Sequence, residues 1–157
     1  MKKEYQACYV SPIGPLQISG TEKAITSLRF EEKKCKSDYP LPVPLQDCLL
    51  QLDEYFKGKR KRFTVKLHPQ GTEFQKKVWN QLMSIPYAKT LSYKDVAQAI
   101  GNERAVRAVG GANGRNPIGI LIPCHRVISH DGTLGGFGGG LRKKEWLLNH
   151  EKKFGGL

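Results

Sequence analysis

The sequence predicts an α+β chain in two parts: a small N-terminal α/β domain of sheet plus helix over residues 1–67, and a mostly helical domain over 68–157. Three observations predict it. Short runs with alternating apolar positions cluster before residue 31. Helical spacing and two capping boxes dominate after residue 71. Between them, His68-Pro69-Gln70-Gly71 reads as a linker.

Residues 5–10, 16–20 and 24–30 read as strands, separated by the turn signals Ser11-Pro12, Gly14-Pro15 and Thr21-Glu22-Lys23. Residues 31–44 are charged, then proline-rich, and read as a loop. Leu45, Leu49, Leu52 and Phe56 stand at helical spacing before Gly58, which predicts a helix over 45–57. The basic run 57–62 reads as a solvated face, and 63–67 as one more short strand. Thr72 with Gln75 opens a helix through Phe74, Val78 and Leu82 that ends at Ile85-Pro86-Tyr87. Ser92 with Asp95 opens a second, stopped by Gly101, and Asn102 is expected to cap a third from 103 to about 112. Two short helices on a tight Gly-Asn turn have the outline of a helix-turn-helix, or of a packed hairpin with no ligand. The apolar run 118–122 suits a buried strand or extended segment. Residues 131–140 hold six glycines, and 141–153 closes the chain as a helix.

The chain has 157 residues with 39% hydrophobic and 25% charged residues, a composition that excludes wholesale disorder. No apolar run approaches the roughly 20 residues of a membrane span, and no apolar segment follows the basic N-terminus. A cytoplasmic chain, nuclear in a eukaryote, is the expectation, with no membrane partner. The net charge of +12 favours a polyanion. Cys8, Cys35, Cys48 and Cys124 are far apart with no CxxC, so reduced thiols and no metal are expected. The glycine-rich segment lacks the Gly-Lys-Ser/Thr ending of a phosphate loop, which argues against nucleotide hydrolysis.

Cys124 is the thiol placed for chemistry. Group transfer to sulfur needs thiolate, and an ordinary cysteine is mostly protonated at neutral pH. His125 offers a base and Arg126 a positive field; Glu151 is an acid able to orient the histidine. Adjacent side chains in extended backbone point opposite ways, so a turn or a bridging water is needed.

Ile122-Pro123-Cys124-His125-Arg126-Val127 closely resembles the active-site signature of the O6-alkylguanine-DNA alkyltransferases. Gly71-Thr72-Glu73-Phe74-Gln75, Ile85-Pro86-Tyr87, Leu91-Ser92-Tyr93, Asn116-Pro117 and Lys144-Glu145-Trp146-Leu147-Leu148 resemble the same family, in its order. The likeness is continuous over 71–151 and loose over 1–67, the position of the family's variable N-terminal domain.

The resemblance implies a winged-helix-like DNA-binding and catalytic domain. It implies repair by direct damage reversal: an O6-alkylated guanine leaves the duplex through the minor groove, and its alkyl group passes irreversibly to Cys124. O4-alkylthymine is a further substrate to consider. By residue-by-residue carry-over, His125 takes the thiol proton through a water and Glu151 holds His125. Tyr93 stabilises or protonates the departing guanine and contacts the flipped nucleotide's phosphate, and Asn116 braces the reactive turn. Arg107 fills the stack, while the small residues Ala105, Ala108 and Gly110 admit the helix to the groove; Arg126 adds a DNA contact. Carbonyls near Cys124 and Val127 read the guanine amino group. Phe137, Gly138 and Gly119 line the pocket where vertebrate members carry tyrosine, serine and proline, which implies a roomier site. No cofactor is expected, and the protein acts as a monomer, once per molecule. The residues alone also leave open a lesion sensor that does not react, a cysteine hydrolase built on Cys124, His125 and Glu151, and a sequence-specific regulator.

Overall fold

A computed structural model describes residues 3–155, and the chain divides into two compact units, residues 1–70 and 71–157. In the first, β1 (Tyr5–Ser11), β2 (Gly14–Gly20) and β3 (Ile25–Phe30) form an antiparallel sheet in that order. Ser11 pairs with Gly14 across a two-residue turn, and Gly14 takes φ +110°, the left-handed region glycine enters without cost. Alternation buries Ala7, Leu16, Ile18 and Leu28. Against β1 and β2 packs α1 (Val43–Phe56), which buries Leu45, Cys48, Leu52 and Tyr55. The helix starts two residues before the predicted position because proline is tolerated in a first turn, where its missing N–H has no partner to lose.

Three expectations change here. Residues 63–67 add only an isolated parallel bridge, Leu67 to Ile25. His68 N–H donates to Ile25 O at 2.8 Å, so the unit runs on to residue 70 rather than ending at 67. Cys8 and Cys35 are joined as a disulfide, where reduced thiols were expected. The cause is tertiary. Residues 35–38 lie along β1, with Cys8 N–H donating to Ser37 Oγ, Gln6 N–H to Asp38 Oδ2 and Asp38 N–H to Gln6 O, each at 2.8 Å. Cysteines 27 residues apart in sequence thereby come to a Cα separation of 5.3 Å.

The second unit runs α2 (Glu73–Leu82), β4 (Leu91–Ser92), α3 (Tyr93–Ala99), α4 (Val106–Gly114), a 3-10 turn (Cys124–Arg126), β5 (Val127–Ile128) and α5 (Leu141–Gly155), with β4 parallel to β5. Both capping boxes form. Thr72 and Gln75 satisfy each other's backbone N–H groups at the start of α2, as do Ser92 and Asp95 at α3. Trp79 Nε1 donates to Ala112 O at 2.7 Å, which ties α2 to α4.

Asn102 does not cap α4. Its N–H donates to Ala97 O and that of Gly101 to Gln98 O, the paired bonds that close a helix through a left-handed glycine, here at φ +80°. Asn102 is therefore spent on ending α3, and α4 begins three residues late, at Val106, without a side-chain cap. The apolar run 118–122 is buried but tightly folded rather than extended. Ile122 N–H donates to Ile118 O, and Ile120 sits at φ +69°. A left-handed residue costs about 1–2 kcal/mol, more for a branched side chain, and here its burial offsets that strain.

Candidate active site

The apolar fold of residues 118–122 delivers Cys124 into the 3-10 turn that a strand would not have made. Asn116 holds this approach from both sides: its Nδ2 donates to Ile122 O at 2.8 Å, and Ile118 N–H donates to its Oδ1 at 2.9 Å. Asn113 Nδ2 donates to Cys124 O at 3.3 Å. Cys124 as a residue is 6% exposed.

Two cysteines remain free, and their surroundings differ. Cys48 lies in the α1 core, where burial alone pushes its thiol up to about 12. Burial also raises Cys124, but a hydrogen bond with Asn116 and the charge of Lys144 oppose the rise. Only Cys124 has groups that favour its thiolate.

His125 and Glu151 are both fully buried, with His125 Nε2 at 2.6 Å from Glu151 Oε2. Arg126 grips the same carboxylate with two bonds, Nε to Oε1 at 2.8 Å and Nη2 to Oε2 at 3.0 Å, and Ala88 N–H donates to Oε1 at 3.2 Å. Burial pushes the Glu151 carboxyl up, but the bonds and charges of His125 and Arg126 outweigh it and hold it far below the usual carboxylate range. An ionised carboxylate only accepts hydrogen bonds, so the proton of His125 must sit on Nε2. Burial keeps the imidazole neutral, lowering its pKa against the pull of Glu151. Nδ1 is thereby left as a lone pair, and it has no protein hydrogen-bond partner among the described residues.

Tyr93, Gly110, Asn113, Gly136, Phe137 and Gly138 line a cleft of about 470 Å³. Residue 135 has to be glycine: it lies at φ +69°, and a Cβ there would fall 2.6 Å from the Tyr93 hydroxyl oxygen. Burial raises the Tyr93 phenol, and the neighbouring Cys124 raises it further, so it stays a proton donor. The glycine-rich segment is bolted down by Lys144, whose fully buried Nζ donates to Val127 O at 2.6 Å and Gly136 O at 3.0 Å. Burial brings this amine down to about 8, with the Cys124 thiol pulling the other way.

Residues 73–153 match the family model described as 6-O-methylguanine DNA methyltransferase, DNA binding domain, and residues 5–69 match its ribonuclease-like domain. The chain belongs to the 6-O-methylguanine DNA methyltransferase family. The methylated-DNA–protein-cysteine methyltransferase of Methanosarcina acetivorans is 47% identical over 94% of this chain and 97% of its own. That of Mycobacterium bovis is 45% identical over 90% of this chain and 88% of its own. Among solved structures, Mycobacterium tuberculosis O6-methylguanine methyltransferase superposes with a TM-score of 0.86 at 42% identity, covering 96% of this chain and 94% of that one. The structure of M. tuberculosis OGT in complex with DNA gives 0.85 at 43%, covering 95% and 93%. The α+β architecture, a small sheet-bearing unit followed by a helical DNA-binding one, is the architecture of these family members.

Within this family fold the expected site residues separate into three groups. Cys124, His125, Glu151, Asn116 and Tyr93 are joined by the bonds and charges just described. Arg107 and Ala108 are exposed at the start of α4, with Ala105 and Gly110 half-buried beside them. Phe137 and Gly138 line the cleft with Tyr93 and Gly110, whereas Gly119 and Val127 are buried and outside its lining. Arg126 is a correction. It is 7% exposed, and its third bond, Nη1 to Ile85 O at 2.8 Å, completes its commitment inside the protein, so it is no DNA contact. Lys144 and Asn113 were not anticipated. Lys144 had a legible signal: it stands three residues before Leu147 and seven before Glu151, on the same helix face as two buried side chains.

Among the described residues no helix is long and apolar enough to cross a membrane, and no three His, Cys, Asp or Glu side chains cluster to hold a metal.

Proposed function

We propose that this chain repairs DNA by taking the alkyl group of an O6-alkylguanine onto its own Cys124, once per molecule. The observation that carries the proposal is the Cys124 turn. A thiol whose rise on burial is opposed by Asn116 and Lys144 stands next to a histidine whose only free lone pair is set by a buried carboxylate, and Tyr93 and Asn113 around it line a cleft of base-accommodating size.

The atoms balance in one displacement. His125 Nδ1 takes the thiol proton, directly or through one water. The sulfur then bonds to the alkyl carbon as that carbon's bond to guanine O6 breaks, and the electron pair stays on the base. Tyr93 delivers a proton to the guanine, and the proton held on His125 makes up the balance. The imidazolium is formed against the Glu151 carboxylate, which stabilises it. A thioether has no leaving route here, so the protein is consumed.

The alkylated base must leave the stack to reach a thiol this buried, at a cost of a few kcal/mol. α4 is suited to the minor groove: Arg107 and Ala108 are exposed, and small residues at 105, 108, 110 and 111 permit close approach. Arg107 fills the vacated space, and the protein acts as a monomer. Arg107→Ala is expected to slow transfer from duplex DNA by roughly 10–100-fold, the loss of part of that offset. Transfer from free O6-benzylguanine is expected to be unchanged, because no base has to be extruded; equal losses on both substrates would contradict this role.

Removal of the lesion from an O6-methylguanine duplex, followed by single-turnover quench, tests the function. Loss of one lesion per protein molecule is expected, and continued turnover would count against it.

A further inference from the structure

The first unit carries its positive charge in one place. Residues 57–66 hold six Lys and Arg and no Asp or Glu, whereas the rest of residues 1–70 hold seven basic side chains against eight acidic ones. The carboxylates beside the run are already engaged, Asp53 by Lys57 at 2.8 Å and Glu54 by Arg60 at 3.0 Å. Lys59, Lys61, Arg62 and Lys66 are exposed.

Local structure arranges what the run displays. The chain leaves α1 through Gly58, at φ +76°, and is extended enough at its far end for Leu67 to bridge to Ile25. From residue 62 to 70 exposure alternates strictly: Phe63, Val65 and Leu67 are turned partly inward, while Arg62, Thr64, Lys66, His68 and Gln70 face out. The outward side chains are therefore cations and hydrogen-bond donors, and none of them is acidic.

We infer that residues 59–66 form a second contact with the phosphate backbone of duplex DNA, on the first unit and separate from the base-extruding helix of the second. Over residues 59–66 the exposed side chains are cations and one hydroxyl with no apolar or aromatic member, a set suited to phosphates rather than to bases or an apolar partner. Duplex DNA is favoured over other polyanions because a duplex held by the second unit meets the first at high effective concentration. The inference rests on DNA being the substrate carrier, and it adds affinity without sequence preference.

The test compares wild type with a variant carrying Lys59→Gln, Lys61→Gln, Arg62→Gln and Lys66→Gln. The probe is an undamaged 24-base-pair duplex (an arbitrary length of about two turns) titrated over a range of salt concentrations. With each phosphate contact contributing about 0.9 to the slope of log K against log salt, a slope shallower by about 2–3 is expected, with affinity down at least tenfold at low salt. A control with Lys23→Gln, Lys33→Gln, Lys34→Gln and Lys36→Gln removes the same charge from exposed positions elsewhere in the unit, and its slope is expected to stay near wild type. Equal slopes for wild type and the first variant would overturn the inference, as would an equal fall in both variants, which marks net charge alone. Loss of binding only to phosphatidylserine vesicles would overturn it in favour of a membrane surface. Transfer from free O6-benzylguanine is expected to be intact in both variants. Its absence in wild type as well would defeat the repair reading instead, so the two failures are distinct.

Discussion

Glu151→Gln is expected to slow methyl transfer by about 10³-fold and to lower stability by about 3–5 kcal/mol. The substitution keeps the volume and changes only what the group offers its neighbours. Oε1 now accepts from Arg126 Nε and Ala88 N–H, and Oε2 from His125 Nε2 and Arg126 Nη2. An amide has one acceptor end. Turned toward Arg126 Nε and Ala88, it presents N–H to His125 Nε2, which pushes the ring proton onto Nδ1 and removes the lone pair that receives the thiol proton. Turned the other way, it sets N–H against two donors. Either way Arg126 is left buried without a counter-charge, the source of the stability loss. Adding Arg126→Met is expected to recover much of the melting temperature and none of the rate. Wild-type transfer by the single variant would contradict the proton path.

The same groups set the acid limb of stability. Glu151 has a lower pKa folded than unfolded, so its contribution is complete above its ordinary value of 4.5 and drains as pH falls below it. His125 is also lowered, from 6.5, so the unfolded state binds protons more readily below that value. Both effects destabilise the folded chain on acidification.

Lys144→Met is expected to slow transfer by about 100-fold, the lower end of the usual effect of removing one positioned electrostatic group. It keeps an unbranched apolar stem but removes the charge that favours the Cys124 thiolate, and it releases Gly136 from the reactive turn. The pH profile separates this from simple damage. The amine titrates at about 8, so wild-type transfer is expected to decline above that pH as the supporting charge is lost. The variant is expected to be slow throughout and to lack that decline. Single-turnover rates from pH 6 to 10 check it, and an alkaline limb unchanged in the variant would contradict the role.

Legibility followed the range of the interaction. The capping boxes at Thr72 and Ser92 and the glycine stop at 101 are written within four residues, and all form as expected. The pairing of His125 with Glu151 was readable because residue type and family motif agree, and the two side chains meet at 2.6 Å. What escaped depends on bonds and burial that residue type alone does not specify. Asn is equally suited to open a helix or to follow a helix-ending glycine, and only the bond back to Ala97 decides for Asn102. Arg126 beside a reactive cysteine looks like a phosphate contact until Glu151, 25 residues on, claims it. Cys8 and Cys35 meet only because residues 35–38 follow an edge strand. Lys144 escaped because lysine is seldom fully buried.

The central claim is that Cys124 is the acceptor. Its most direct test is the mass of the protein after reaction with a duplex bearing O6-methylguanine, followed by peptide mapping, with Cys124→Ala alongside. One added methyl on the Cys124 peptide, saturating at one equivalent and absent from the variant, is the predicted result. A methyl on Cys48, or repair with no gain in mass, would contradict it.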